Sequence, residues 1–209
     1  MSPIKLNVEG FPSDFNFYND QFPPLDALTY WHFLKSAKRV VEVGCGYSTG
    51  LALNSGVVVT AIDPEPRILY SEIAYLIKPV QETDPTIFSE LEADDILFID
   101  SSHIYQDGSD VKFLIDSVLP SLKNGVLVQF HDFFGKDGYP PEWKLNTEMA
   151  KWNENEYILP LMDKMEVLAF NYEISKIHNE ELKSSYPFIP QNITQNMGAV
   201  RGASIWLKK

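Results

Sequence analysis

An apolar run that ends in an acid and then breaks into a glycine-rich turn constrains the fold of this chain more than any other feature. Residues 40–50 read VVEVGCGYSTG, which is typical of a buried parallel strand followed by a tight turn and a helix. Gly44 and Gly46 lack a Cβ, so the backbone there can adopt positive φ and approach a ligand closely. The helix that follows would present free N–H groups to that ligand, which suits a nucleotide.

A second apolar run, residues 57–62, ends in Asp63, about 20 residues after the turn, where an acid suits the hydroxyls of a ribose. Two ligand classes compete for this pattern. A dinucleotide fingerprint needs a third glycine where this chain has Thr49, and Glu42 disfavours a pyrophosphate. S-adenosylmethionine (SAM) carries a cationic amino group and a sulfonium, so a nearby carboxylate favours it. The pattern resembles motifs I and II of the class I SAM-dependent methyltransferases.

The composition indicates one globular domain. The chain has 209 residues, 44% hydrophobic and 13% aromatic, enough for a sizeable core. The net charge of −12 disfavours nucleic acid and anionic membranes as partners, because both attract basic surfaces. We expect no transmembrane helix, since no apolar stretch approaches ~18 residues, and no signal peptide, since the first residues lack a charged start followed by an apolar run. Cys45 is the only cysteine, so no intramolecular disulfide can form and a cytoplasmic location is expected.

Strand and helix patterns alternate along the chain, which predicts an α/β fold: a mainly parallel, seven-stranded, Rossmann-like sheet with helices on both faces. The predicted strands are residues 40–43, 57–62, 78–80, 95–99, 125–130, 165–170 and 203–207, the last two being antiparallel neighbours. The predicted helices are residues 24–37, 48–55, 65–77, 85–91, 109–122 and 152–164. We expect a single domain, with an N-terminal cap and helix over residues 1–37 and the core over 38–209. The polar stretch 184–201 is predicted to be a long loop, suited to a lid or an oligomer contact.

Polar side chains follow four of the predicted strands, at the sheet edge where ligands bind in open α/β folds. They are Glu42, Asp63, Asp100, Ser101, Ser102, His103, His131 and Asp132, and Gly44 lies among them after the first strand. Adjacent strands lie roughly 5 Å apart. If the fourth and fifth strands pair, Asp100 and Asp132 are close enough to share a cation or to shift each other's pKa.

Seven ordered motifs make a family resemblance specific. They are E-x-G-x-G-x-S-T at 42–49, I-D-P-x-P at 62–66, F-I-D-S-S-H at 98–103, L-P-x-L-K-x-G-V-L at 119–127, H-D at 131–132, Y-P-x-x-W at 139–143 and W-N-E at 152–154. This order resembles the small bacterial branch called methyltransferase family 24. The resemblance implies a class I fold, a SAM cofactor and methyl transfer, and it leaves the acceptor open.

The resemblance also implies roles for the residues around the turn. Glu42 is expected to face the methionine amino group of SAM, Asp63 the ribose hydroxyls, and Asp100 with Ser101 the methionine end. The remaining predicted cofactor-binding residues are Gly44, Gly46, Ser48 and Thr49. A structural acid in place of Glu42, or a helix cap in place of Asp63, is the alternative in each case.

Two routes for removing the acceptor proton stay open. In metal-dependent O-methyltransferases, carboxylates at the ends of strands 4 and 5 hold a divalent cation, and Asp100 and Asp132 resemble that pair for Mg²⁺ or Mn²⁺, with His131 as a third ligand. Those enzymes usually carry a second acid or an amide where this chain has His131. A metal-independent route would instead use His103 or His131 as general base, so we predict His103, His131 and Asp132 as catalytic residues.

The sequence therefore predicts a SAM-dependent methyltransferase that acts on the oxygen of a small-molecule or sugar-like acceptor and could form a homo-oligomer. Tyr105, Tyr139 and Trp143 could wall the acceptor pocket or could simply pack. The competing functions are a nucleotide-binding oxidoreductase and a non-catalytic SAM-binding module.

Overall fold

The sheet organises the molecule. The computed structural model describes residues 5–73, 75–190 and 200–209. Within them, seven strands form one sheet in the order β3-β2-β1-β4-β5-β7-β6. The strands are β1 Arg39–Val43, β2 Val58–Ile62, β3 Tyr75–Leu76, β4 Ile96–Ile99, β5 Leu127–His131, β6 Glu166–Phe170 and β7 Ser204–Lys208. Strands β1 to β5 pair in parallel, and β7 runs antiparallel to both β5 and β6. The predicted α/β class is confirmed.

Seven helices accompany the sheet in the described part of the chain. They are α1 Pro24–Leu34, α2 Tyr47–Ser55, α3 Thr86–Ser89, α4 Asp110–Phe113, α5 Leu119–Ser121, α6 Glu154–Ile158 and α7 Asn171–Ser185. A π-helical turn, Leu114–Val118, joins α4 to α5, so the three pieces fill the predicted helix 109–122. None of the described helices is long and apolar enough to cross a bilayer.

Alternation of side chains along the strands builds a core on each face of the sheet. Phe98 and Trp206 point to the face covered by α1 and α2, where Leu28 and Leu51 meet them. Their strand neighbours Leu97, Ile205 and Leu207 point to the opposite face. Both faces of β4, β5 and β7 are therefore buried, which explains why these strands read as nearly continuous apolar runs.

The segment between β2 and β3 corrects two predictions. A helix over 65–77 was expected, but the described residues there form turns, and the third strand is Tyr75–Leu76 instead of 78–80. Pro79 has no N–H to donate and so disfavours a strand at 78–80. Tyr70 donates its hydroxyl to the carbonyl of Gly46 at 3.3 Å, so the segment covers the glycine turn. This tertiary contact overrides the helical spacing.

Two further predictions need correction. The helix predicted over 152–164 is limited to α6 and a 3-10 turn, Leu159–Leu161, because Pro160 interrupts the ladder. Helix α7 was not predicted, since only Ile174 and Leu182 of its large apolar side chains are buried. It includes the first two residues of the loop expected at 184–201, and residues 191–199 of that loop lie outside the described residues.

Candidate active site

The two glycines of the turn after β1 have different surroundings. Gly44 has φ +85°, and a Cβ there would lie 1.8 Å from the carbonyl oxygen of Asp100. The backbone leaving β4 therefore crosses directly over Gly44. At Gly46 a Cβ would meet no atom within 4 Å. Gly46 thus faces the open space at the sheet edge, where a ligand has room to approach the backbone.

Glu42 is buried beneath the turn. Its side chain accepts a short hydrogen bond from the Ser48 hydroxyl, and Oε2 has no hydrogen-bond partner among the described residues. Burial raises the pKa of Glu42 to about 8, and hydrogen bonds from Ser48 and Thr49 limit the rise. An incompletely paired buried carboxyl group can receive a donor from a ligand, but its predicted role towards SAM stays a prediction.

Asp63 and Thr49 fix the shape of the turn. Asp63 Oδ2 accepts from the Cys45 N–H at 2.9 Å, and Oδ1 accepts from the Glu65 N–H at 2.8 Å. The Gly46 N–H donates to Thr49 Oγ1 at 2.9 Å. Each oxygen of Asp63 keeps a further lone pair, so binding of a ribose remains a prediction that these contacts permit.

Asp100, His103 and Asp132 bring three potential ligand atoms together at the ends of β4 and β5. One atom from each side chain lies within 4.8 Å of the other two. His103 Nε2 is 3.5 Å from Asp100 Oδ1 and 3.8 Å from Asp132 Oδ2. His103 and Asp132 both adopt positive φ, 60° and 55°, which is rare for residues with a side chain. Such backbone strain is often found where a site requires a fixed side-chain direction.

His103 is held from its other side. Its Nδ1 lies 2.5 Å from Oε1 of the buried Glu154, and the Trp152 ring packs 4.2 Å from the imidazole. Burial would lower the pKa of His103, but the negative charge of Glu154 and hydrogen bonds to Asp100 and Glu154 raise it well above its usual value.

His131 lies behind the same carboxylates. Its Nδ1 is 3.5 Å from Asp100 Oδ1 and 3.6 Å from Asp132 Oδ1, and its Nε2 is 3.6 Å from Asp26 Oδ2. Burial would lower the pKa of His131, but the charges of Asp132 and Asp100 raise it to about 10. In turn, burial would raise the pKa of Asp100, yet the positive charge of His131 lowers it overall. Burial dominates at Asp132, whose pKa is raised.

Two acids at this site were not predicted. Asp26, from α1, is buried and accepts hydrogen bonds from Asn171, Ser204 and the Ala203 N–H. The sequence signal that could have identified Asp26 is its position between the apolar residues of a predicted helix. Glu154 belongs to the W-N-E motif, but the sequence assigned no role to that motif.

The predicted pocket aromatics divide into two groups. Tyr139 and Trp143 pack on Trp152, with ring centroids 5.5 and 5.6 Å away, and Trp152 reaches the His103 ring. Tyr105 instead stacks on Tyr157 and donates its hydroxyl to Asp116. The structure therefore brings Tyr139 and Trp143 near the acidic cluster, while the ring of Tyr105 packs beside α4.

Residues 41–133 match the model of methyltransferase family 24, described as a methyltransferase domain. The match includes the glycine turn and ends two residues after His131. No curated protein matches the chain.

Several solved structures are similar at low identity. A SAM-dependent methyltransferase from Archaeoglobus fulgidus is 12% identical, covers 87% of this chain and 90% of its own, and gives a TM-score of 0.48. A protein from Corynebacterium glutamicum is 14% identical over 90% of this chain and 83% of its own, with a TM-score of 0.46. An O-methyltransferase family protein from Burkholderia thailandensis is 13% identical over 69% of this chain and 52% of its own, with a TM-score of 0.46. Likeness at these scores carries no functional conclusion.

Proposed function

Since this chain is a class I SAM-dependent methyltransferase of family 24, we propose that it methylates a hydroxyl group of a small-molecule or sugar-like acceptor, assisted by a divalent cation at Asp100, His103 and Asp132. The convergence of these three side chains within 4.8 Å carries the proposal. The two carboxylates suit Mg²⁺ or Mn²⁺, and the imidazole favours Mn²⁺ over the harder Mg²⁺.

The accessibility of the two carboxylates supports an acceptor beside them. The side chain of Asp100 is 39% exposed and that of Asp132 is 16% exposed, whereas His103 is buried. A small molecule can therefore reach the carboxylate oxygens from solvent while His103 supports the site from below. Trp152, whose ring packs against His103, and Trp143, which packs on Trp152, are half-buried and offer apolar surface to such a molecule.

The turn after β1 fits SAM. Gly46 leaves room for close approach, and the buried Ser101 Oγ has no hydrogen-bond partner among the described residues, as expected of a group that awaits a ligand. Bound SAM supplies an electrophilic methyl group. We assign Glu42, Asp100 and Ser101 to its methionine end and Asp63 to its ribose, with Gly44, Ser48 and Thr49 shaping the turn.

The protein's own residues have two tasks in this reaction. They must hold the acceptor oxygen in line with the methyl group, and they must favour loss of the hydroxyl proton. A cation bound at the cluster would lower the pKa of the acceptor hydroxyl. His131 is a poor base at neutral pH, because an imidazole with a pKa of about 10 holds its proton. This favours the cation over the general-base route that uses His131.

Release of S-adenosylhomocysteine from a panel of catechols, sugars and hydroxy acids tests the proposal. We expect turnover with Mg²⁺ or Mn²⁺, none in excess EDTA, and recovery when the cation is restored. Asp132→Asn should lower kcat, since it removes a ligand charge, while the exposed Asp20→Asn should not. Full turnover in EDTA would contradict the cation and leave proton transfer to His103 or His131.

A further inference from the structure

Four consecutive residues, 152–155, contact both loops that carry the acidic cluster. In the loop after β4, Asn153 pairs with the Tyr105 backbone, accepting from its N–H at 2.7 Å and donating to its carbonyl at 3.1 Å. In the loop after β5, Asn155 accepts from the Phe134 N–H at 3.0 Å and donates to the Gly135 carbonyl at 2.6 Å. We call residues 152–155 the clamp.

The clamp also reaches the carbonyl and the ring of His103. The N–H groups of Asn153 and Glu154 donate to the His103 carbonyl at 3.0 and 3.2 Å. Trp152 covers one side of the ring, and Glu154 Oε1 lies 2.5 Å from Nδ1. The backbone and the side chain of His103 are therefore both fixed by the clamp, which explains how this residue keeps its positive φ.

Burial of the Glu154 carboxylate at this position is energetically unfavourable. It is 1% exposed, and Oε2 has no hydrogen-bond partner among the described residues. Apolar residues of similar volume often replace a buried ion pair with no loss of stability, so stability alone does not explain a buried carboxylate. Its neighbour Glu156, on the same short helix, is exposed and has no such contact. A positioning role for Glu154 accounts for the difference.

We propose that Glu154 is a positioning residue: its Oε1 accepts a hydrogen bond from the Nδ1–H of His103 and thereby keeps the Nε2 lone pair directed at Asp100 and Asp132. The clamp residues Asn153 and Asn155 hold the two loops at the separation that this requires. The inference deepens the proposed function, because it assigns His103 to the cation site through Nε2. Mutation of a carboxylate that orients the free nitrogen of a ligand imidazole typically lowers metal affinity about 10–100-fold.

Mn²⁺ titration of the full chain, by calorimetry or electron paramagnetic resonance, tests the inference without an acceptor or turnover. Glu154→Gln keeps the size of the side chain and removes its charge, so we expect Mn²⁺ affinity to fall about 10–100-fold. The matched control Glu156→Gln should bind as the wild type does, and Glu154→Asp, which keeps the charge, should bind more tightly than Glu154→Gln. Equal affinity of Glu154→Gln and wild type overturns the inference.

Proton and nitrogen NMR of the ring of His103 separates this inference from the cation proposal. In the wild type without metal, we expect a strongly deshielded Nδ1 proton. Its loss in His103→Gln assigns the resonance to His103. In Glu154→Gln we expect the resonance to shift or to disappear. If the wild type binds no Mn²⁺, the cation proposal fails, and this resonance decides the positioning role. Absence of the deshielded proton in the wild type, or its persistence unchanged in Glu154→Gln, overturns the role. The absence of the deshielded proton is observed on the wild type alone, so the inference can be overturned even if Glu154→Gln misfolds.

Discussion

At the scale of single residues, the two glycines of one turn have different surroundings, and we predict different roles for them. Gly44 is required by another part of the protein, since the β4 end passes over it, whereas Gly46 borders open space. The sequence motif alone does not distinguish the roles of the two glycines. The surroundings of each Cα show that the fold requires a glycine at position 44, whereas a binding role for Gly46 stays a prediction.

Alanine substitutions should separate these two demands. Gly44→Ala would place a Cβ 1.8 Å from the Asp100 carbonyl oxygen at positive φ, so we expect it to prevent folding or to lower the free energy of unfolding by several kcal/mol. Gly46→Ala should fold with nearly unchanged stability but bind SAM more weakly. Urea denaturation and calorimetric titration with SAM measure the two effects. Equal stability of the two variants would contradict this assignment.

The buried Glu42 gives a prediction for stability against pH. Burial raises its pKa from 4.5 to about 8 in the folded protein, so between these values the folded chain keeps a proton that the unfolded chain has released. The stabilisation by this proton is complete below the unfolded pKa and is lost as pH rises through about 8. Glu42→Gln, which can still accept from Ser48, should therefore flatten the decline of unfolding free energy across this window, by a few kcal/mol at most.

Urea denaturation without ligand, at about pH 5 and about pH 9, measures this difference. Glu156→Gln serves as control, because Glu156 is exposed and its removal should leave the pH dependence unchanged. If Glu42→Gln and wild type lose stability in parallel as pH rises, Glu42 is ionised in the folded protein.

At the scale of elements, helix α1 completes the site from outside the region that matches the family model. Asp26 reaches from α1 to the N–H of Ala203, to the Ser204 hydroxyl at the start of β7, and to the Asn171 amide at the start of α7. It also lies 3.6 Å from His131. The N-terminal helix is thus tied to the sheet edge that carries the cluster.

Asp26→Ala should lower the free energy of unfolding by roughly 3–5 kcal/mol, because it leaves buried donors and His131 without a carboxylate. The exposed Asp20→Ala is the matched control and should change stability by less than about 0.5 kcal/mol. Chemical denaturation followed by tryptophan fluorescence gives both values. A loss below about 1 kcal/mol for Asp26→Ala would mean that water replaces its contacts.

At the scale of the whole molecule, the strand order places the ligand groups on one edge. The sheet order reverses between β1 and β4, where crossovers leave on opposite faces and a crevice forms beyond the strand ends. The glycine turn follows β1 and Asp100 follows β4, so both border this crevice. Strand β7 begins at the same edge, where Ser204 pairs with His131 of β5 and contacts Asp26 of α1 and Asn171 of α7.

Binding at this crevice should stabilise the entire sheet. SAM at about 100 times its dissociation constant should raise the free energy of unfolding by about 2.7 kcal/mol, or the melting temperature by roughly 5–10 °C for a domain of this size. NAD at the same concentration should give no shift. Thermal denaturation followed by circular dichroism measures both, and a shift with NAD alone would contradict the choice of cofactor.

The sequence predicted those parts of the fold whose patterns are local. The runs at β1, β2, β4 and β5 and the spacing of α1 identify their elements, because burial on both faces leaves a continuous apolar signal. The same reasoning wrongly predicted a helix over 65–77. Its helical spacing yields to contacts of Tyr70 and Tyr75 with the turn and with one another, which no local pattern records.

What the sequence by itself determined is the α/β class, the glycine turn and the set of titratable groups at the strand ends, because parallel strands bring their carboxyl ends to one edge wherever they occur in the chain. Only the tertiary structure decided how those groups pair. Contacts over long sequence distances place Glu154 on His103, put Asp26 behind His131, and group His103 with Asp100 and Asp132. The direction of each side chain depends on neighbours up to more than a hundred residues away, and a motif cannot encode that packing.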